Sequence, residues 1–184
     1  MGNQLISSVK TVIKPIEHYL SEVPNIKLKS SLGQTQFLKV AHCIHGSEGE
    51  VVVKVLSHED PSLLLESYRE ELIAFANLTS NNSSISTFRI IEIRSNFAYI
   101  VRQYVRFSLY DRLSTRPFLV DIEKCWIIYQ IFRCMAWCHE REIYHGDIKL
   151  ENILVTSNLW VMLTDFATYK PINLPEVCLF VYES

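Results

Sequence analysis

Eight residues, His145-Gly-Asp-Ile-Lys-Leu-Glu-Asn152, constrain this chain more than any other stretch, together with Asp165-Phe-Ala167 thirteen residues after Asn152. Two aspartates, a lysine and an asparagine fall close together there. Short β-branched runs at Ile153–Thr156 and Val161–Thr164 bracket a turn at Ser157-Asn158. A long apolar-periodic segment, Asp121 to Arg141, comes just before and predicts a helix. The pattern is helix, polar loop, tight hairpin, polar turn. That order sets charged side chains on loops held by regular elements, the usual place for a binding or catalytic centre.

The bulk properties narrow the class. With 184 residues the chain is long enough for one domain with a real core. Apolar residues make up 48% and charged ones 21%, the balance of a soluble globular fold. A net charge of −2 offers no basic face, so nucleic acid is not expected as a partner. The longest uncharged stretch, Leu72 to Phe88, is broken by Asn, Ser and Thr and predicts no membrane span. The N-terminus has no secretory pattern. Five cysteines in no framework spacing point to a reducing compartment. Cys134 and Cys138 lie one helical turn apart beside His139, and they read as small apolar packing rather than as metal ligands.

Along the chain, Leu5, Val9, Val12 and Ile16 recur at helical spacing, with Pro15 expected to end or kink the helix near Lys14. Strands are expected at Ile26–Leu28, Phe37–Cys43 and Glu50–Leu56, with a hairpin turn at Gly46–Gly49. A helix over Ser62–Leu78 presents Leu64, Leu65, Tyr68, Leu72 and Phe75 on one face. A polar loop, Thr79–Ser86, leads to strands at Phe88–Ile93 and Phe97–Tyr104. A short helix follows at Leu109–Leu113. The long helix is expected to bury Ile128, Ile131, Phe132, Met135 and Cys138. The fold class is α+β: a small antiparallel sheet with one helix, a hinge, then a mainly helical part.

These motifs resemble those of the eukaryotic protein kinases, whose catalytic loop reads H-R-D-x-x-x-x-N and whose metal turn reads D-F-G. Gly146 stands where Arg is usual and Ala167 where Gly is usual. The resemblance runs from near residue 25 to the end and implies a two-lobed fold with a nucleotide cleft. It divides the chain into an N-terminal segment 1–24, a small lobe 25–104 and a partial large lobe 105–184. It also implies the site. Lys54 would pair with the α/β-phosphates, and Glu71, with Glu70 as runner-up, would hold Lys54. Asp147 would accept the substrate hydroxyl proton and Lys149 steady the γ-phosphate. Asn152 and Asp165 would bind Mg²⁺. Gln103 and Val105 form the hinge, and Gly33 and Val40 are what remains of the glycine-rich loop. The expected ligand is ATP with Mg²⁺, with GTP possible, because Arg102 stands before the hinge where an apolar residue is usual.

The departures carry expectations too. Thr35 and Leu38 replace glycines that let backbone amides approach phosphates, so the phosphate clamp should be weaker or altered. Gly146 removes the arginine that in many kinases receives an activation-loop phosphate. Ala167 should stiffen the turn after Asp165. Leu174-Pro-Glu176 lies too close to Asp165 to close an activation segment and reads as early loop. The chain stops at Ser184, before the helices that complete a large lobe, and reads as a fragment or truncated form.

Finer features narrow the resemblance. Met1-Gly-Asn-Gln-Leu5, Arg102-Gln-Tyr-Val105, Leu109-Tyr-Asp-Arg-Leu-Ser-Thr-Arg-Pro-Phe-Leu119, His145-Gly-Asp147 and Asp165-Phe-Ala167 occur together. They are similar to the protein-kinase-like regulatory subunit of the class III (vacuolar protein sorting) phosphatidylinositol 3-kinase. That resemblance implies a serine/threonine kinase-like scaffold whose partners are the lipid kinase catalytic subunit and associated autophagy and sorting subunits. It implies myristoylation of Gly2, and a location in cytosol and on the cytoplasmic face of endosomal and autophagic membranes. One acyl chain binds membranes marginally, so stable anchoring would need the complex. The competing expectation is a non-catalytic scaffold whose nucleotide is only structural.

Overall fold

The structure, a computed structural model, describes residues 14–34, 38–57, 65–94 and 97–167. Helix α1 (Ile16–Leu20) leads into strands β1 (Ile26–Gln34), β2 (Leu38–His45) and β3 (Gly49–Ser57). Helix α2 (Leu65–Thr79) precedes β4 (Ile90–Ile93) and β5 (Phe97–Gln103), which complete an antiparallel sheet of order β1-β2-β3-β5-β4. After residues 104–106 come β6 (Phe107–Ser108), α3 (Leu109–Ser114) and α4 (Asp121–His139). A 3-10 turn at Leu150–Asn152 then enters β7 (Ile153–Val155) and β8 (Val161–Leu163), which join β6 in a second, three-stranded sheet.

Strand alternation divides the larger sheet into two faces. Val51, Val53 and Val55 point one way and are buried with Ala41, Cys43, Phe97 and Val101 under Ile16, Tyr19 and Leu20 of α1. Leu56 and Ile100 point the other way and pack with Leu72 and Tyr68 of α2. Lys54 shares this second face. The β2–β3 hairpin turns at 46–48, and Gly49, at φ +73°, supplies the left-handed residue that closes it.

Pro15 is the N-cap of α1, in extended geometry, a position where its missing N–H costs nothing. Lys14 and Pro15 are non-helical, and the helix expected before them lies outside the described residues. One expectation is corrected here. On α4 the buried residues are Ile127, Gln130, Cys134 and Cys138. Of the stripe expected from periodicity, Cys138 is buried and Ile131 and Met135 are partly buried. Ile128 is 50% and Phe132 70% exposed. Gln130 explains the rotation. Its amide donates to Leu159 O (2.7 Å) and accepts from Val161 N (3.1 Å), so a polar side chain fixes which face meets the β7–β8 hairpin. Among the described residues no metal-holding cluster of His, Cys, Asp or Glu occurs, and Cys134 and Cys138 pack in the core.

Candidate active site

The loop between α4 and β7 is held from both sides. His145 is buried, and its Nδ1 accepts from the Asp147 N–H (3.3 Å). That leaves Nε2 as the protonated nitrogen, donating to Thr164 O (3.0 Å) at the end of β8. The N–H of Thr164 in turn donates to Asn152 O (3.0 Å), and that of Ala167 to His145 O (2.7 Å). The catalytic loop and the turn at 165–167 are thus laced into one unit. Asp165 takes a left-handed conformation (φ 62°), and this turns Phe166 inward. The Phe166 ring lies 4.3 Å from that of His145 and 5.0 Å from that of Phe75 on α2, which ties the turn to the small-sheet helix.

Within this frame the charged groups converge. Asn152 is buried, and its Nδ2 donates to both Asp147 O (2.8 Å) and Asp147 Oδ2 (2.9 Å). Lys149 Nζ stands 3.2 Å from Asp147 Oδ2. Lys54 reaches from β3 to form an ion pair with Asp165 Oδ1, which also lies 3.5 Å from Thr164 Oγ1. The Lys54 ammonium lies 5.7 Å from the Phe88 ring centroid. The amide nitrogen of Asn152 is committed to Asp147, so its oxygen is the end left to coordinate. An amide oxygen and a carboxylate are the hard donors that Mg²⁺ takes, so the residues present fit that ion.

The structure gives Lys54 a different partner from the one expected. Glu71 is exposed on α2, and its charge is felt by Tyr68, not paired with Lys54. Tyr68 instead faces the site: burial first, and then the charges of Asp165 and Glu71, push its phenol well above the ordinary range. Its role was not legible from sequence, since it reads there as one more apolar position on α2. Gly33 is exposed within β1, pairs with Val40, and has open space where a Cβ would go, so packing does not require glycine. The loop tip that follows lies outside the described residues. So do Gly2 and Leu174-Pro-Glu176.

Arg102 pairs across the sheet with Val52 and is buried behind the hinge. Its Nη1 donates to Gln103 O (3.3 Å), while its Nε is buried with no hydrogen-bond partner among the described residues. Burial lowers its pKa, and the negative charge of Asp165 opposes the shift. Gln103, at the end of β5, is exposed, and Val105 is half-buried in the segment that links the two sheets.

A small antiparallel sheet carrying a half-buried lysine, joined by a hinge segment to a loop of aspartate, lysine and asparagine and a metal-type turn, defines a protein kinase. The protein kinase domain model matches residues 26–181, and the chain belongs to that family. Protein kinase domains in general use ATP and Mg²⁺. The chain is 41% identical to the serine/threonine-protein kinase VPS15 of Arabidopsis thaliana, over 95% of this chain and 12% of that protein. It is 36% identical to the serine/threonine-protein kinase vps15 of Schizosaccharomyces pombe (96% and 10%). Against the VPS15 kinase of Saccharomyces cerevisiae the identity is 35% (86% and 11%). The chain therefore spans about a tenth of the length of these curated relatives.

Proposed function

We propose that this chain is the nucleotide-binding, kinase-like unit of a regulatory subunit of the class III phosphatidylinositol 3-kinase complex. The observation that carries the reading is the convergence of Lys54, Asp147, Lys149, Asn152 and Asp165 on one cleft, through a hydrogen-bonded loop. Mg²⁺, when bound, supplies the charge that offsets the phosphates. Asn152 and Asp165 would hold it, Lys54 would turn to the phosphates, and Asp147 would orient and accept from a serine or threonine hydroxyl. The likeness to the VPS15 kinases supports the lipid kinase catalytic subunit and its autophagy and sorting partners as the assembly. Myristoylation of Gly2 would add a weak hold on endosomal and autophagic membranes. Its test is intact mass: a Gly2→Ala form should lack the acyl increment, and identical modification of both forms would refute the idea.

One observation favours a second reading, a non-catalytic scaffold. Phosphoryl transfer in kinases needs the strand lysine paired with a helix carboxylate while the turn aspartate binds metal. Here Lys54 is engaged by Asp165 and Glu71 is exposed. Thermal unfolding of the full chain with Mg-ATP or Mg-GTP, beside Asp165→Ala, tests the nucleotide reading. A ligand at 100 times its Kd adds about 2.7 kcal/mol. A shift that the variant loses supports it, and equal melts with and without nucleotide reject it. Transfer to a peptide that disappears in Asp147→Ala separates kinase from scaffold.

A further inference from the structure

The residues at which the catalytic loop and the metal turn depart from the kinase motifs, Gly146 and Ala167, face each other. Gly146 has φ +73°, and a Cβ built on it would stand 2.9 Å from the Cβ of Ala167, closer than carbons pack. The backbones cannot part to relieve this, because the N–H of Ala167 donates to His145 O at 2.7 Å. The kinase pattern places a side chain on the catalytic loop (Arg) and none on the turn (Gly). This chain does the reverse. In either pair of motifs one of the two positions carries a side chain and the other does not.

We propose that Gly146 and Ala167 are a matched pair of positioning residues. The Ala167 methyl takes the space left over Gly146 and holds the 165–167 turn with Asp165 directed at Lys54. The rest of the turn agrees. Asp165 is itself in the left-handed region, and Phe166 is fixed between His145 and Phe75, so neither can shift to make room for a second Cβ. The functional part of the proposal rests on the nucleotide-binding reading, because Asp165 is the residue being positioned.

The experiment is a four-protein cycle in the full chain: wild type, Gly146→Ala, Ala167→Gly, and both. Each is measured for melting temperature without ligand and for Mg²⁺-dependent affinity for ATP and GTP. Any side chain at a left-handed position is strained, so Gly146→Ala alone should weaken Mg-nucleotide binding about tenfold or more and lower the melting temperature. That strain is common to both backgrounds and cancels in the cycle. Adding Ala167→Gly should recover much of both losses. Equal losses in the two backgrounds would overturn the pair. Recovery of melting temperature without any change in Mg²⁺-dependent affinity would overturn the positioning role. A wild type that binds no nucleotide would remove both that role and the proposed function, whereas binding with additive losses would remove the pair alone.

Discussion

At the scale of single residues, buried polar groups decide what the site tolerates. Arg102 has a sequestered Nε with no partner among the described residues, and leaving such a donor unsatisfied costs about 1–3 kcal/mol. Arg102→Met should therefore raise the urea midpoint of the ligand-free chain by about 1 kcal/mol equivalent, while changing the ratio of ATP to GTP affinity. A lower midpoint would mean that the Gln103 carbonyl and Asp165 already compensate the guanidinium. Cys43 gives the pH prediction. Its thiol is buried, which raises its pKa from 9.0 to about 11. Between those values the unfolded chain has lost the proton and the folded chain keeps it, so the unfolded state binds fewer protons. Stability must then fall as pH rises from 9 to 11, by up to about 1.4 kcal/mol per unit from this group. Cys43→Ala should show a shallower decline in denaturation midpoints over that window, and parallel curves would refute the assignment.

At the scale of elements, strands were more legible than helices, for a geometric reason. On β3 the two-residue period leaves one choice: once Val51, Val53 and Val55 face the core, Lys54 faces the cleft. Helix α4 leaves several. It is apolar on more than one side, and Ile128 and Phe132 satisfy the helical period as well as Ile127 and Cys134 do. The decision is made by Gln130 against the β7–β8 hairpin, a tertiary contact that the spacing of apolar residues does not encode. The cleft residues were legible as motifs. Lys54's partner was not, because it depends on the left-handed backbone of Asp165, and the Gly146–Ala167 contact was not, because it joins separate loops. The helix makes a clean test. Ile127→Ala removes a side chain 2% exposed and should cost about 2–5 kcal/mol, whereas Phe132→Ser, at 70% exposed, should stay within about 0.5 kcal/mol. Urea denaturation of the two variants checks this, and comparable losses would mean that the outer face of α4 is also packed.

At the scale of the whole molecule, the two sheets are joined by a few identifiable ties. Tyr104 N donates to Glu50 O at the hinge (3.1 Å), Phe75 meets Phe166, and Lys54 reaches Asp165. The first two are fixed by backbone and packing. The third is a charge pair between groups the nucleotide reading assigns to different tasks, phosphate for Lys54 and metal for Asp165. Both side chains are mostly sheltered, 14% and 21% exposed, and charge-assisted hydrogen bonds of this kind contribute about 2 kcal/mol. Lys54→Met and Asp165→Asn should each destabilise the ligand-free chain, and the double variant should lose less than their sum by about that amount. The coupling should survive 1 M salt, where screening acts within about 3 Å and removes only the exposed part of such an interaction. With saturating Mg-nucleotide the tie is replaced by ligand contacts, so Lys54→Met should forfeit stabilisation that wild type gains. Additive losses in the cycle would show that the pair is incidental to the fold, and that Phe75–Phe166, the hinge and the pairing of Ser84–Ser86 with Leu163 hold the two sheets together.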